Sequence, residues 1–455
     1  MPRLLSSLLA GLYAVTAAAA PPVSDKVLFD FEQPKDIDVW SNLVLPEPKW
    51  KEPPVRIEAS ERNATSGRKS LKLTFDGGEW PTVITTAIPD DWSAYHTFRA
   101  DVTVDRECVV GFTVMQEKSN RGPGYDNGVT RWCKTAFLKP GKNTVAGNLQ
   151  PNDWSAIGPK FGKVVSLEAF LYDAHKGESI YLDNIRLSAE KLNEKPIATK
   201  FTVLGTDLVV ESVQDLGKRL AKDWKKPVER TLADVDADFA AAFETARKDH
   251  PKAAKAVFRD GEAGYAGWRD AYWSSHGPDG ITRDRAENRG TSETHEVFMR
   301  HRSPLMRVDL SSIPQGASIL YAKLVIVRAR KNYSKDHNPT EKPNMWVVEP
   351  CNRPWVEAEV NAYRYAKDKY WKEIGGRYYG DDPDFMPVYL AHGPSQGVIN
   401  EWDFVHAVQW WTDGKHANHG FMLHGDSHDW LGSAWSREAK DVKNRPAVYV
   451  IYEPR

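Results

Sequence analysis

Hydrophobic and polar residues fall into short blocks over residues 25–190. Val27–Phe31, Ser70–Phe75, Phe98–Val104, Val109–Met115, Thr135–Leu138 and Ile180–Leu187 are rich in β-branched and aromatic side chains, which predicts strands. Turn residues punctuate them: Asp76-Gly77-Gly78, Pro123-Gly124 and Pro140-Gly141-Lys142-Asn143. Short strands at regular spacing with polar turns predict a β-sandwich, and no stretch here holds a helical period over ten residues.

A different rhythm runs through 206–250. Val209, Val213, Leu216, Leu220 and Trp224 recur at helical spacing, Pro227 interrupts, and Val228, Leu232, Val235, Phe239 and Phe243 resume the pattern. Two amphipathic helices with a proline break are expected, as an αα-hairpin or a kinked connector ending at His250-Pro251. Residues 255–455 return to strand patterns at Ile319–Val327, Asn344–Val348 and Ala447–Tyr452. One short helix is expected inside, on Phe404, Val408 and Trp411, with Asp403 as N-cap and Gly414 as its stop. The expected fold class is therefore mostly β: two sandwiches joined by a two-helix connector.

The N-terminus changes the reading of the first 20 residues. Arg3, an apolar stretch from Leu4 to Val15 and the small residues Ala17–Ala20 have the layout of a secretory signal peptide, with cleavage after Ala17 or Ala19. A secreted protein, extracellular, at the cell surface or periplasmic, is expected. No later run is long and apolar enough to insert in a membrane. With 61 Lys+Arg against 62 Asp+Glu, nothing supplies the basic excess that nucleic-acid binding needs. Patterning leaves the oligomeric state open. Of the three cysteines, Cys108 and Cys133 flank a strand-loop-strand stretch and are either bridged or two buried thiols; Cys351 has no partner and is expected in the core.

Motifs in the C-terminal half occur in an order that resembles a known family. Met306-Arg307-Val308-Asp309-Leu310-Ser311-Ser312-Ile313-Pro314-Gln315-Gly316-Ala317 is similar to a signature stretch of the DNRLRE (disaggregatase-related) domain. Gly267-Trp268-Arg269-Asp270, Pro354-Trp355-Val356-Glu357, Trp371 with Gly375-Gly376, Trp402 to Gly414, Asn418-His419-Gly420-Phe421 and Ser436-Arg437-Glu438 follow in the same order. One departure is Val360-Asn361-Ala362-Tyr363, where many members read V-T-W-N. The resemblance implies an extracellular β-sandwich, in some members a module for acidic polysaccharides. The N-terminal half resembles galactose-binding-like carbohydrate-binding jelly rolls at Leu28-Phe29-Asp30-Phe31-Glu32, Ser66–Leu71, Asp91–Tyr95 and Ile180–Leu187. That resemblance implies a structural calcium ion held by Glu32 and Asp183; Asp183 capping a turn is the simpler alternative. Together these assign 1–20 to a signal peptide, 21–190 to a carbohydrate-binding-like jelly roll, 191–254 to a helical connector and 255–455 to a DNRLRE-type sandwich.

A pyranose presents a flat C–H face on which an indole or phenol stacks, so Trp80, Tyr125, Trp132 and Trp154, all beside turn residues, are candidate platforms. Core packing is the alternative for each. Trp92, Trp355 and Trp411 are expected to pack. His424, Asp426 and His428 alternate, so on a strand they would share a face, which suits a polar ligand groove with Trp430 alongside, a metal or a base. Arg269 and Arg437 can grip a uronate carboxylate or pair with the abundant acids nearby. The function expected is non-catalytic polysaccharide binding. A lyase or glycosidase using His424, His428 and Arg437 is one alternative, and a structural or adhesive surface protein is another.

Overall fold

A computed structural model describes residues 24–44, 51–117, 129–149, 163–193, 200–203, 206–209, 229–274, 287–297, 302–329, 345–372, 384–386, 390–394, 398–425 and 432–455. The N-terminal part holds β1 (Lys26–Phe29), α1 (Pro34–Asp38), β2 (Ser41–Asn42), β3 (Arg56–Ser60), β4 (Ser70–Asp76), β5 (Thr82–Thr85), β6 (Thr97–Val104), β7 (Cys108–Glu117), β8 (Val129–Leu138), β9 (Gly141–Asn148), β10 (Val164–Tyr172) and β11 (Lys176–Ser188). One sheet runs β3-β4-β11-β6-β9, with β1 also on β11, and the other runs β2-β5-β10-β7-β8. All pairings are antiparallel, and the two sheets close on a core that includes Phe31, Leu73, Trp92, Phe98, Phe112, Leu167, Leu171 and Leu182. This is the jelly-roll-like sandwich expected from the pattern of short strands.

A hairpin, β12 (Lys200–Val203) with β13 (Thr206–Val209), follows. The sequence predicts helix from about 206, and the structure has a strand at 206–209. The rest of the first expected helix, from 210 through Trp224, lies outside the described residues. The second helix forms as α2 (Leu232–Asp249). Thr231 caps it: its Oγ1 accepts from the Asp234 amide while the Asp234 carboxylate accepts from the Thr231 amide, so two orphan donors are satisfied.

The C-terminal part holds β14 (Ala254–Arg259), β15 (Trp268–Ser274), β16 (Thr294–Val297), β17 (Arg302–Val308), β18 (Ser318–Val327), β19 (Met345–Pro350), β20 (Arg364–Ala366), β21 (Lys369–Tyr370), β22 (Ala391–Pro394), β23 (Ile399–Asp403), α3 (Val405–Thr412), β24 (Phe421–Gly425), β25 (Gly432–Trp435) and β26 (Ala447–Glu453). Sheet β14-β26-β18-β23 faces sheet β15-β17-β24-β19-β22, and β16 pairs with β25 as a separate ribbon. Period-two alternation decides what each strand touches. On β26, Val448 and Val450 enter the core between the sheets, while Tyr449 and Ile451 meet Val235 and Phe239 of α2. The expected cap of α3 is shifted by one: Phe404 occupies the N-cap position, and the Asp403 side chain accepts from the Val405 amide. Gly414 follows the helix with φ 68°, the left-handed conformation that stops a helix.

The two sandwiches share a core. The outer face of β7 and β10 contributes Val109, Phe170 and Tyr172, and the outer face of β15, β17 and β24 contributes Ala271, Trp273, Leu305 and Met422. Between them lie Trp355, Val360, Tyr363, Trp371 and Phe385. Tyr172 stacks on Tyr363 with centroids 4.8 Å apart, and Trp80 meets the edge of the Tyr363 ring at 5.1 Å. Asn361 donates to the Tyr172 hydroxyl at 2.7 Å, and Arg364 pairs with Asp173. Gly111 permits part of this seam. A Cβ there would lie 2.0 Å from the Phe170 ring, its partner across the β7–β10 register.

The cysteines are free. Cys108 sits opposite Leu138 and points into the sandwich core, whereas Cys133 sits opposite Thr113 and packs at the seam. Five residues of offset along the strand pair is about 16 Å, far beyond disulfide reach. Cys351 is fully buried, as expected, and its thiol is pushed up to about 12 by burial.

The seam predicts cooperative unfolding of both sandwiches. Tyr363→Ala removes a fully buried ring, a loss of about 3–5 kcal/mol for an aromatic truncation. Urea unfolding followed by fluorescence is expected to split from one transition into two in this variant, and an unchanged single transition would contradict the shared core.

Candidate functional site

The aromatic platforms expected from sequence are placed elsewhere than the surface. Trp80 and Trp132 are 3% and 4% exposed. Trp80 is clasped by Phe170, Tyr172 and Tyr363, and Trp132 packs at a tilt against Phe98 while its Nε1 donates to the Asn148 carbonyl. Nearby turn residues did not bring exposure, because the sheet face beyond Trp80 is covered by the second sandwich. Tyr125, Trp154, His428 and Trp430 lie outside the described residues. Trp92, Trp355 and Trp411 are buried, as expected. His424 is 2% exposed on β24, with Nε2 3.4 Å from Glu349. Arg437 serves other partners, so His424 and Arg437 do not join one site through their contacts.

Glu32 and Asp183 fasten one loop. Glu32 accepts from the amides of Arg68 and Lys69 at 2.6 and 2.7 Å, and Asp183 from the amides of Thr65 and Ser66 at 2.5 and 2.7 Å. The Lys69 and Arg68 amides hold the Glu32 carboxyl below the usual carboxylate range, whereas burial raises that of Asp183. The backbone partners of both acids are donors, while Asp101 lies opposite Asp183 across the β6–β11 register and shares the Thr65 hydroxyl with it, so a calcium shell would draw further oxygens from Asp101 or backbone carbonyls.

Two arrangements stand out. The first is an open trough of about 490 Å³ at one end of sheet β3-β4-β11-β6-β9. It is lined by Arg62, Lys72, Arg106, Lys176 and His175, with Asp105, Glu178, Ser179 and Tyr181. Four permanent cations thus face two carboxylates. Arg106 is committed to Glu178 at 2.8 Å and donates to the Tyr370 hydroxyl at 3.0 Å, so the second sandwich braces it. His175 leans on Asp368 at 3.2 Å across the same boundary. Lys176 meets Asp76 at 3.2 Å with both side chains mostly in water, a pair worth little. Lys72 is 3.8 Å from Glu58, and Arg62 has no ion-pair partner among the described residues. Four chain segments supply these groups, so no local spacing announces the trough.

The second is a partly sunken acid cluster at the edge strand of the C-terminal sandwich. Asp270 of β15, Glu357 of the loop after β19 and Glu438 after β25 bring carboxylate oxygens within 4.8 Å of one another. Asp270 is fully buried; its Oδ2 accepts from the Arg437 amide at 2.9 Å and lies 3.3 Å from His295 Nε2. The Arg437 guanidinium lies 3.0 Å from Glu357 and 2.8 Å from Glu438, and Arg269 reaches Glu357 at 3.8 Å from a more exposed position. Both arginines singled out in the sequence are therefore salt-bridged to neighbouring acids. Burial first, then the Asp270 charge, pushes the Glu438 carboxyl up to about 8. Asp270, Glu357 and Glu438 each stand in a stretch that carries the DNRLRE resemblance, but sequence separation hid their convergence, and nothing marked His295.

No family model matches the chain, and no curated protein matches it. Among solved structures it is similar to a family 11 carbohydrate-binding module from Clostridium thermocellum in complex with a beta-1,3-1,4-mixed-linked tetrasaccharide, at 14% identity and TM-score 0.29, over 38% of this chain and 99% of that one. It is similar to the CBM22-1–GH10 modules of Clostridium thermocellum xylanase 10B complexed with xylohexaose, at 12% identity and TM-score 0.27, over 36% of this chain and 28% of that one. It is also similar to an exo-beta-agarase, at 14% identity and TM-score 0.28, over 50% of this chain and 32% of that one.

The acid cluster predicts a pH dependence in metal-free buffer. A carboxyl raised from 4.5 to about 8 favours the folded state when protonated, so its contribution is complete below 4.5 and lost as pH rises through 8. The melting temperature is expected to fall across that window, and Glu438→Gln to flatten the fall; an identical pH profile in the variant would contradict the assignment.

Proposed function

We propose that this is a secreted, non-catalytic polysaccharide-binding protein whose ligand is an acidic glycan held in the trough of Arg62, Lys72, Arg106, His175 and Lys176. The observation that carries the reading is the cationic lining of that trough on the surface of a jelly-roll sandwich. Arginine offers a planar fork that meets a uronate carboxylate through two parallel hydrogen bonds, and lysine adds a mobile point charge. Arg106, braced by Glu178 and Tyr370, supplies a fixed charge at the trough wall, while Arg62 and Lys72 have weaker commitments. Ser179 and Tyr181 add hydroxyl groups for sugar hydroxyls. The open form suits a polymer passing through better than a small molecule enclosed on all sides.

The leader-like N-terminus supports export, and the motif order supports a DNRLRE-type identity for the C-terminal sandwich. A structural calcium ion at Glu32 and Asp183 belongs to the same proposal. It is tested by EGTA, which is expected to lower the melting temperature of the wild type more than that of Glu32→Gln.

The binding test is affinity electrophoresis and calorimetry of full-length protein with alginate, pectate and neutral β-glucans. Retardation by an acidic polymer without new reducing ends or unsaturated products is expected. The Arg62→Ala/Lys72→Ala variant is expected to bind about tenfold more weakly or worse, since one charge-assisted contact contributes roughly 1.5 kcal/mol or more. Equal binding by the variant would move the ligand away from the trough, and product formation would make the protein an enzyme.

A further inference from the structure

We propose that Asp270, Glu357 and Glu438 form a divalent-cation site, with calcium as the ion its chemistry selects. Acidic neighbours alone would not make a site, but three observations here point to a missing partner. Asp270 Oδ1 and Glu438 Oε2 are buried oxygens with no hydrogen-bond partner among the described residues. His295 is fully buried beside them, with neither ring nitrogen hydrogen-bonded, and its Nε2 faces Asp270 Oδ2 at 3.3 Å. A buried polar atom left without a partner is costly, and here the two acids that carry such oxygens belong to one group whose carboxylate oxygens lie within 4.8 Å of one another.

The charges agree with a divalent ion. Three carboxylates meet one close guanidinium, that of Arg437, which leaves two negative charges; Arg269 stands further off, 3.8 Å from Glu357 and nearer solvent. The donors choose the metal. Three hard oxygen ligands favour calcium or magnesium over softer ions. Three protein carboxylates converging within 4.8 Å suit calcium, which takes several carboxylate ligands, better than magnesium, which keeps most of its waters and binds through one or two carboxylates. His295 is not within that ligand group; it stands beside Asp270, with Nε2 3.3 Å from Oδ2. Glu357 and Glu438 are each 22% exposed, which leaves an entry for the ion and for water ligands.

Such an ion would tie together three separate segments: β15, the loop after β19 and the turn after β25. This inference stands apart from the glycan reading, since it concerns a different face and a different ligand.

The experiment is calorimetric titration of EDTA-treated, full-length protein with CaCl2, beside thermal melts. Glu438→Gln, Glu357→Gln and, as a control for the N-terminal pair, Glu32→Gln are titrated alongside. Wild type is expected to bind one calcium equivalent more than Glu438→Gln and Glu357→Gln, and Glu32→Gln to retain that equivalent. At about 100 times the dissociation constant, calcium is expected to raise the wild-type melting temperature by several degrees, and the two C-terminal variants to lose that share of the rise. Far-UV circular dichroism checks that the isosteric variants remain folded. Equal calcium stoichiometry in wild type and both C-terminal variants would overturn the site. No calcium uptake by the wild type would also overturn it, and would leave the facing oxygens to share a proton.

Discussion

A sheet that is apolar on both faces is the constraint from which the rest of this molecule follows. In an isolated sandwich, each strand shows one face to the core and one to water. β7 and β10 do not: Phe112 and Leu167 face inward, while Val109, Phe170 and Tyr172 face outward and are equally buried. Exposing that outer face would leave a contiguous aromatic patch in water, so a second body has to cover it. The loop around Tyr363 does so, and it brings Asn361 and Arg364 within reach of the end of β10 and its turn, and Tyr370 within reach of Arg106 in the β6–β7 turn. The trough at that boundary has its wall fixed by the same contact, because Arg106 and His175 each hold a partner from the second sandwich.

Burial also sorts the charged residues into two kinds of chemistry. In the trough, cations exceed acids and remain in contact with water, so a polyanion can replace solvent without stranding a buried charge. At the edge of the second sandwich the imbalance is reversed. Asp270 is sealed from water beside Glu357, Glu438 and His295, and among the described residues Arg437 pairs with these glutamates at the closest range. An open surplus of positive charge attracts an extended anion, whereas a sunken surplus of negative charge attracts a proton or a small cation.

Much of the architecture was legible because strand signals are local. The strands at Phe98–Val104, Ile319–Val327 and Ala447–Tyr452 stand close to where alternation and β-branched residues put them. β10 was missed, since Val164–Tyr172 is buried on both faces and shows no alternation to count. The helical rhythm over 232–249 was correct, but its apparent start at Val209 fell on a strand, where spacing alone cannot tell the two apart. The candidate sites were less legible. Trp80 and Trp132 beside turns looked like sugar platforms because sequence does not show a second domain arriving over one of them. Arg437 and Arg269 were visible as candidates, yet both reach Glu357, which lies tens of residues away from either, and only Glu438 stands next to Arg437 in the chain. The trough left no trace, because Arg62, Lys72, Arg106 and Lys176 meet only after four strands have paired.

The central claim is that charge, on a rigid sandwich surface, selects the polysaccharide. Its most direct test compares one uronate polymer with its carboxyl-reduced form, the same chain without charge, in affinity electrophoresis at low and at high salt. The account predicts retardation by the native polymer at low salt, loss of retardation at high salt, and none by the reduced polymer. Equal retardation by both polymers, insensitive to salt, would contradict it and place recognition in stacking and neutral hydrogen bonds.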